Sequence, residues 1–134
     1  TFARMLQSEV AIRNLIENFS KNADSRSKVE LAREIAWACA VRSLAYEHLV
    51  KYSEGSRPGP EGSMDKLLWS ESFQSIAKLG FKLIGLGGQF GENDSNIGHY
   101  IHQYLYSRGR TIAAGTSEIQ RNIIAERVLG LPRI

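Results

Sequence analysis

The sequence predicts an all-α protein, an up-and-down four-helix bundle with a short extra C-terminal helix. Three long amphipathic segments and two shorter ones follow one another along the chain, with apolar residues at three- and four-residue steps. No stretch alternates apolar and polar residues for long enough to indicate a strand. Consecutive amphipathic helices bury their apolar faces against one another, and this favours a bundle.

The first two predicted helices fill the N-terminal part of the chain. The apolar stripe of the first consists of Phe2, Met5, Leu6, Ile12, Leu15, Ile16 and Phe19. After a polar break at residues 22–27, the second helix runs over about residues 25–52, and we expect Ser25 or Ser27 to cap it. Cys39 lies on its apolar stripe, so a core thiol is favoured over a nucleophile.

The middle of the chain is predicted to hold two more helices separated by a glycine-rich loop. The third helix covers about residues 64–86, and the irregular segment LGGQFGENDSN follows it. The fourth, shorter helix contains Ile97, Tyr100, Ile101, Tyr104 and Leu105. Trp37 and Trp69 lie within the stripes of the second and third helices, and we expect them to be packing residues unless one faces a partner subunit.

The last predicted helix follows a run of small residues at 113–115. Ser117 and Gln120 have the spacing of a capping box, and Gly130 followed by Pro132 is typical of a helix end. A glycine turn that leads into a helix N-terminus suits a phosphate or another electron-rich ligand. The alternative is a well-capped C-terminal helix that binds nothing.

Composition and charge exclude several classes of protein. The chain has 134 residues, which indicates one domain, with 43% hydrophobic and 23% charged residues, as in a globular protein. Its net charge of +3 is spread along the chain, so nucleic-acid binding has little support. A single cysteine, no signal peptide and no apolar run long enough for a bilayer favour a cytoplasmic protein. Because it begins with Thr1, directly in a helical pattern, we expect a fragment of a larger protein.

Two further patterns are similar to a metal site and to a dinucleotide-binding fingerprint, but the surrounding sequence favours neither. His99 and His102 are three residues apart on a probable helix, but no third ligand is evident, so a surface or interface role is favoured over a metal site. The glycines at 85–91 follow a helix rather than a strand, so the context of a dinucleotide-binding fingerprint is missing. A simple helix end and a cofactor contact remain the two alternatives there.

Residues 114–133 closely resemble the C-terminal signature of the acyl-CoA dehydrogenase family, in AGTSEIQRNIIAERVLGLPR. The family pattern, aromatic–Glu–Gly–Thr–Ser–x–Ile–Gln–Arg, is matched from Gly115 to Arg121, and LGGQFG at 86–91 is similar to the family's Gly-Gly loop. The resemblance implies the four-helical C-terminal domain of an FAD-dependent enzyme that oxidises acyl-CoA at the Cα–Cβ bond. It implies an electron-transfer flavoprotein as acceptor, a role in fatty acid metabolism and assembly into dimers or homotetramers.

The resemblance also implies roles for single residues. Gly115 is expected beside the substrate thioester, and Thr116, Ser117 and Glu118 are expected to contact the flavin. Gly87 and Gly88 are also expected to bind the cofactor, because they would receive the ADP portion of FAD from a neighbouring subunit. Segment 17–27 lacks the family's Arg-x-x-Phe-Gly element, which contacts the cofactor phosphates, and Arg26 and Arg110 are the candidates for a replacement positive charge.

Ala114 occupies the position at which many members of this family carry the glutamate base. Since a methyl group cannot accept a proton, we assign no catalytic residue within the chain. Three alternatives follow: the base lies outside the chain in the same protein, a paralogous subunit supplies it, or the protein no longer dehydrogenates. A purely structural or oligomerisation bundle is the rival function. We expect Glu118 to complement the helix dipole rather than to act as the base.

Overall fold

The computed structural model describes residues 2–86 and 95–133. These residues form only helices and the segments between them, so the all-α prediction is confirmed. The helices are α1 (Phe2–Phe19), α2 (Ser25–Ser53), α3 (Gly62–Ile84), α4 (Ser95–Ile112) and α5 (Ser117–Ile123), the last of which continues into a π-helical turn at Ile124–Val128. Residues 87–94 of the predicted glycine-rich loop lie outside the described residues, and its last two residues, Ser95 and Asn96, belong to α4.

Helix α3 is the centre of the bundle, because it contacts α1, α2, α4 and α5. The core around it is apolar and includes Met5, Ile12, Leu15, Leu31, Val41, Trp69, Phe73, Ile76, Leu79 and Tyr100. Trp69 is 2% exposed, its ring stacks on Phe73 with centroids 6.0 Å apart, and its indole N–H donates to the backbone carbonyl of Arg4. This one side chain therefore joins α3 to the first turn of α1.

A buried polar pair fixes the connection between α2 and α3. Nδ1 of His48 lies 2.8 Å from Oδ1 of Asp65, and both side chains are almost fully enclosed. Buried polar groups are tolerated when they are hydrogen-bonded, as these two are. The pair holds the end of α2 against the start of α3 across the proline-containing turn. Within the described residues, no helix is long and apolar enough to cross a membrane.

The N-terminal cap of α2 is Asp24, so the prediction of Ser25 or Ser27 was wrong. Asp24 has extended backbone (φ −68, ψ 168), and its carboxylate accepts from the backbone N–H of Ser27 at 2.7 Å. This hydrogen bond is the main cause of the lowered pKa of Asp24. Helix α4 contains the predicted apolar residues and ends at Ile112, and α3 begins two residues earlier than predicted, at Gly62.

Two side chains of α2 point away from the core, contrary to prediction. Cys39 is exposed, and Trp37 is 47% exposed. The residue between them, Ala38, is buried, because successive helix positions are rotated by about 100°. The buried stripe of α2 is thus narrower than its apolar content suggests. The packing prediction was right for Trp69 and wrong for Trp37 within this chain.

Gly80 marks the closest approach of three helices, and replacing it tests that packing. A Cβ there would lie 2.9 Å from Cδ1 of Tyr100 and 3.2 Å from Cδ2 of Leu15. The Tyr100 ring is held by the amide of Asn18, which donates to its hydroxyl at 2.9 Å. Overpacking of about 1–3 kcal/mol should therefore exceed the gain of about 1 kcal/mol in helix propensity. We expect Gly80→Ala to lower the free energy of unfolding in a urea titration.

Gly109 is the matched control for this experiment. It also lies inside a helix, α4, but a Cβ there would meet nothing within 4 Å. Gly109→Ala should raise the free energy of unfolding by up to about 1 kcal/mol. If both alanine variants stabilise the chain equally, the close packing of α1, α3 and α4 at Gly80 is wrong.

Candidate functional site

The chain reverses direction between α4 and α5 in a turn with two successive positive φ angles. Ala114 has φ 60 and Gly115 has φ 98. A left-handed conformation costs a residue with a Cβ roughly 1–2 kcal/mol, so Ala114 needs support from its surroundings. Ala114 is exposed and Gly115 is half-buried. The outer side of the turn therefore presents small groups that let a ligand approach the backbone.

Two side chains from neighbouring helices donate hydrogen bonds to the carbonyl groups of this turn. Nζ of Lys66, on α3, donates to the carbonyls of Gly115 at 2.6 Å and of Thr111 at 3.2 Å. Nε2 of Gln120, on α5, donates to the carbonyl of Ala114 at 2.9 Å. Both side chains are buried, and burial, followed by the nearby charge of Arg4, lowers the pKa of Lys66. The left-handed turn is thus fixed by hydrogen bonds from two helices.

Thr116 caps α5, so the predicted capping box at Ser117 and Gln120 was wrong by one residue. Thr116 is extended (φ −64, ψ 164), and its hydroxyl accepts from the backbone N–H of Ile119 at 3.4 Å. The left-handed residues before Thr116 place it, rather than Ser117, at the capping position. Ser117 is instead the first helical residue, and its side chain is buried. The Gln120 amide reaches the turn rather than the helix end.

Glu118 is exposed at the start of α5 and is poorly suited to act as a base. Its own backbone N–H, and then the Thr116 hydroxyl, hold the pKa of the Glu118 carboxyl below its usual value. A general base is most effective when its pKa lies near the working pH. Glu118 therefore remains a weakly basic carboxylate at the positive end of the helix.

The flanks of the turn are tied to α3 by further polar contacts. Arg121 forms an ion pair with Glu71 at 2.6 Å. The guanidinium of Arg110 lies over Tyr106, 4.3 Å from the ring centroid, and near Trp69 at 5.6 Å. Nε of Arg110 is buried without a hydrogen-bond partner among the described residues. Arg110 is therefore close to the turn, on the helix that leads into it.

The structure brings Gly115, Thr116, Ser117 and Glu118 together, as their adjacency requires, but Gly87 and Gly88 lie outside the described residues. Arg26, the other cation considered for a phosphate, is at the start of α2, where it pairs with Glu30 at 3.5 Å. His99 and His102 are both exposed on α4. In residues 2–86 and 95–133 no group of three or more His, Cys, Asp or Glu side chains is placed to hold a metal ion.

Sequence reasoning missed Lys66 as a part of this site. The sequence offers one signal, which is that Lys66 directly precedes the apolar residues Leu67, Leu68 and Trp69 in a helix whose inner face is buried. Such a lysine is usually exposed, and nothing in the local pattern indicates a contact with residues 45 and 49 positions away.

Comparison with known proteins decides the family. The profile described as acyl-CoA dehydrogenase, C-terminal domain, matches residues 17–129, which include α2 to α5 and the turn at Ala114 and Gly115. The chain belongs to this family. The fold of the acyl-CoA dehydrogenase C-terminal domain thus accounts for the bundle, and the matched residues include the turn that Lys66 and Gln120 support.

Three relatives carry the name acyl-CoA dehydrogenase. IpdE1 of Mycobacterium tuberculosis is 36% identical over 126 residues, which are 90% of this chain and 31% of that protein. IpdE1 of Mycolicibacterium smegmatis is 43% identical over 77 residues, 58% of this chain and 19% of that protein. FadE34 of M. tuberculosis is 35% identical over 79 residues, 59% of this chain and 10% of that protein. The chain therefore spans less than a third of each relative. No solved structure matches significantly.

Proposed function

We propose that residues 1–134 are the C-terminal domain of a longer, FAD-dependent acyl-CoA dehydrogenase, which introduces an α,β double bond into an acyl-CoA thioester. The family membership and the names of the three relatives support this proposal. The observation that carries it is the left-handed turn at Ala114 and Gly115, which opens onto the N-terminus of α5 in the family's signature segment.

The residues of the turn fit the edge of a flat ring that carries hydrogen-bond acceptors, as the flavin ring does. Ala114 and Gly115 bear no bulky side chain, and Thr116 and Glu118 are at least partly exposed beside them. The Ser117 side chain is buried, so Ser117 would contribute its backbone N–H rather than its hydroxyl. The positive end of the α5 dipole favours an electron-rich group at this place. FAD, when bound, supplies the acceptor for the hydride from Cβ.

The chain would orient the substrate and the cofactor rather than remove the proton. Gly115 would lie beside the thioester, and Gly87 and Gly88 would receive the ADP portion of a neighbouring subunit's cofactor. Ala114 has no group that accepts a proton, and the lowered pKa of Glu118 makes it a weak base. The base would therefore come from another part of the same protein or from a paralogous subunit.

The bundle would also form much of a subunit interface in a dimer or homotetramer. Several large apolar side chains are exposed on the described surface, namely Val29, Trp37, Val50, Leu129 and Leu131. A subunit interface on the bundle would cover some of these apolar side chains. We further propose a cytoplasmic enzyme of fatty acid metabolism that passes electrons to an electron-transfer flavoprotein.

The experiment that tests this function uses the full-length protein that carries the chain, expressed alone and together with the products of neighbouring genes. Bleaching of the FAD absorbance is recorded after addition of a panel of acyl-CoAs. We expect bleaching, because an enzyme with a base elsewhere transfers the Cβ hydride to the flavin.

The outcomes separate the alternatives. Bleaching by the full-length protein alone would place the base in another part of that protein, and bleaching only after co-expression would assign this chain to a non-catalytic partner subunit. FAD that binds but never bleaches would contradict the dehydrogenase function. The 134-residue chain by itself should be inactive in every case, since the remaining flavin and acyl-CoA contacts would lie in other domains of the full-length protein.

A further inference from the structure

We propose that Lys66 is a positioning residue, which holds the backbone of the Ala114–Gly115 turn in the geometry that faces the flavin and the thioester. This inference rests on the proposed function, because it assigns a role within the same site. Lys66 acts through the turn and is not expected to touch substrate or cofactor.

The position of Lys66 is unusual for a lysine. It lies on the second turn of α3, and only 9% of the residue is exposed. Lysine is rarely buried unless its ammonium group is hydrogen-bonded or paired. Here both hydrogen bonds go to backbone carbonyls, at 2.6 Å to Gly115 and 3.2 Å to Thr111. One buried cation therefore connects the end of α4 with the residue that precedes the cap of α5.

The two carbonyls on the turn are restrained from different helices. Lys66 of α3 holds the carbonyl of Gly115, and Gln120 of α5 holds the carbonyl of Ala114. Rotation of either peptide unit would break one of these bonds and leave a buried donor unsatisfied. The pair therefore stabilises the positive φ of Ala114, which its own Cβ disfavours.

The bond from Lys66 has an electronic consequence as well as a geometric one. A carbonyl that accepts a hydrogen bond from a cation is polarised, and its peptide N–H becomes a stronger donor. The N–H on the other side of the Gly115 carbonyl belongs to Thr116, at the start of the flavin-facing segment. Lys66 thus strengthens a donor at the place where the proposed function puts electron-rich groups.

The test is Lys66→Met in the full-length protein, since methionine keeps the length of the stem and removes all three donors. We expect kcat to fall about 10–100-fold with little change in KM, because misplacement by about 1 Å has effects of this size. We also expect an altered visible circular dichroism of the bound FAD. Lys66→Arg, which keeps a cation and its donors, should recover most of both signals.

Lys78→Met is the matched control, because Lys78 is an exposed lysine on the same helix. It should leave kcat and the flavin dichroism unchanged. If Lys66→Met fails to fold by far-ultraviolet circular dichroism, Lys66→Gln, which retains N–H donors without the charge, takes its place and should show an intermediate loss.

The readouts distinguish this inference from the proposed function. If the wild type is bleached by acyl-CoA and Lys66→Met behaves like Lys78→Met, the role of Lys66 is wrong and the function stands. If the wild type binds FAD but is not bleached either alone or after co-expression, the dehydrogenase function fails. Lys66 is then tested by the flavin dichroism, and an unchanged spectrum of Lys66→Met overturns its role. A wild type that binds no FAD overturns both.

Discussion

Replacing Trp69 with alanine is expected to lower the free energy of unfolding of the chain by about 3–5 kcal/mol. The side chain is 2% exposed, stacks on Phe73 and donates to the carbonyl of Arg4. Its loss would leave a large cavity between α1 and α3 and remove the hydrogen bond that joins α3 to the carbonyl of Arg4. Since small domains are stable by only about 5–15 kcal/mol, a large part of the stability would be lost.

Trp37→Ala is the matched control, because Trp37 is 47% exposed on α2. Its removal should change the free energy of unfolding by less than about 0.5 kcal/mol. Both variants are compared by urea denaturation followed by far-ultraviolet circular dichroism, since the loss of a tryptophan alters the fluorescence itself. Equal effects of the two substitutions would contradict the placement of Trp69 at the centre of the core.

Replacing Gly115 with alanine is expected to weaken FAD binding by the full-length protein about 5–150-fold. Gly115 has φ 98, and a Cβ there would lie 2.6 Å from Nε2 of Gln120. The added strain of roughly 1–3 kcal/mol would be relieved when the turn opens, so the conformation that binds FAD would become less populated. That free energy corresponds to the stated loss of affinity, at 1.4 kcal/mol for each factor of ten.

Gly130→Ala is the matched control, because it introduces backbone strain at a position outside the turn between α4 and α5. Gly130 also has a positive φ, 68, but a Cβ there would meet nothing within 4 Å, and the residue follows the π-helical turn. The measurement is a titration of the FAD-free protein with FAD, monitored by flavin fluorescence. If Gly115→Ala and Gly130→Ala bind FAD as tightly as the wild type, the turn is not part of the FAD site.

The helices could be predicted because their apolar residues recur with the period of a helix, as in α1 from Met5 to Phe19. Which residue caps a helix was harder to predict, because Asp24, Ser25 and Ser27 are all good caps and only the backbone angles decide between them. The prediction that Cys39 of α2 lies in the core was wrong. Small residues on both sides of that helix conceal the boundary of the buried stripe.

The site was predicted only where its residues are adjacent in sequence. Gly115 and Thr116 were found from the signature segment, and the turn they form is present in the structure. The contacts of Lys66 join residues far apart in the chain, and no local pattern reports them. Gln120 was assigned the wrong partner, because its spacing from Ser117 fits a capping box. Thr116 caps the helix instead, and the Gln120 amide donates to the carbonyl of Ala114.

The visible absorbance spectrum of the purified full-length protein shows whether the protein binds FAD. We expect a yellow protein that contains FAD in a molar amount equal to that of the chain, since the turn at Gly115 and the N-terminus of α5 are proposed to form part of its pocket. A colourless protein that takes up no FAD when the cofactor is added would contradict this expectation. The bundle would then be a structural or oligomerisation domain.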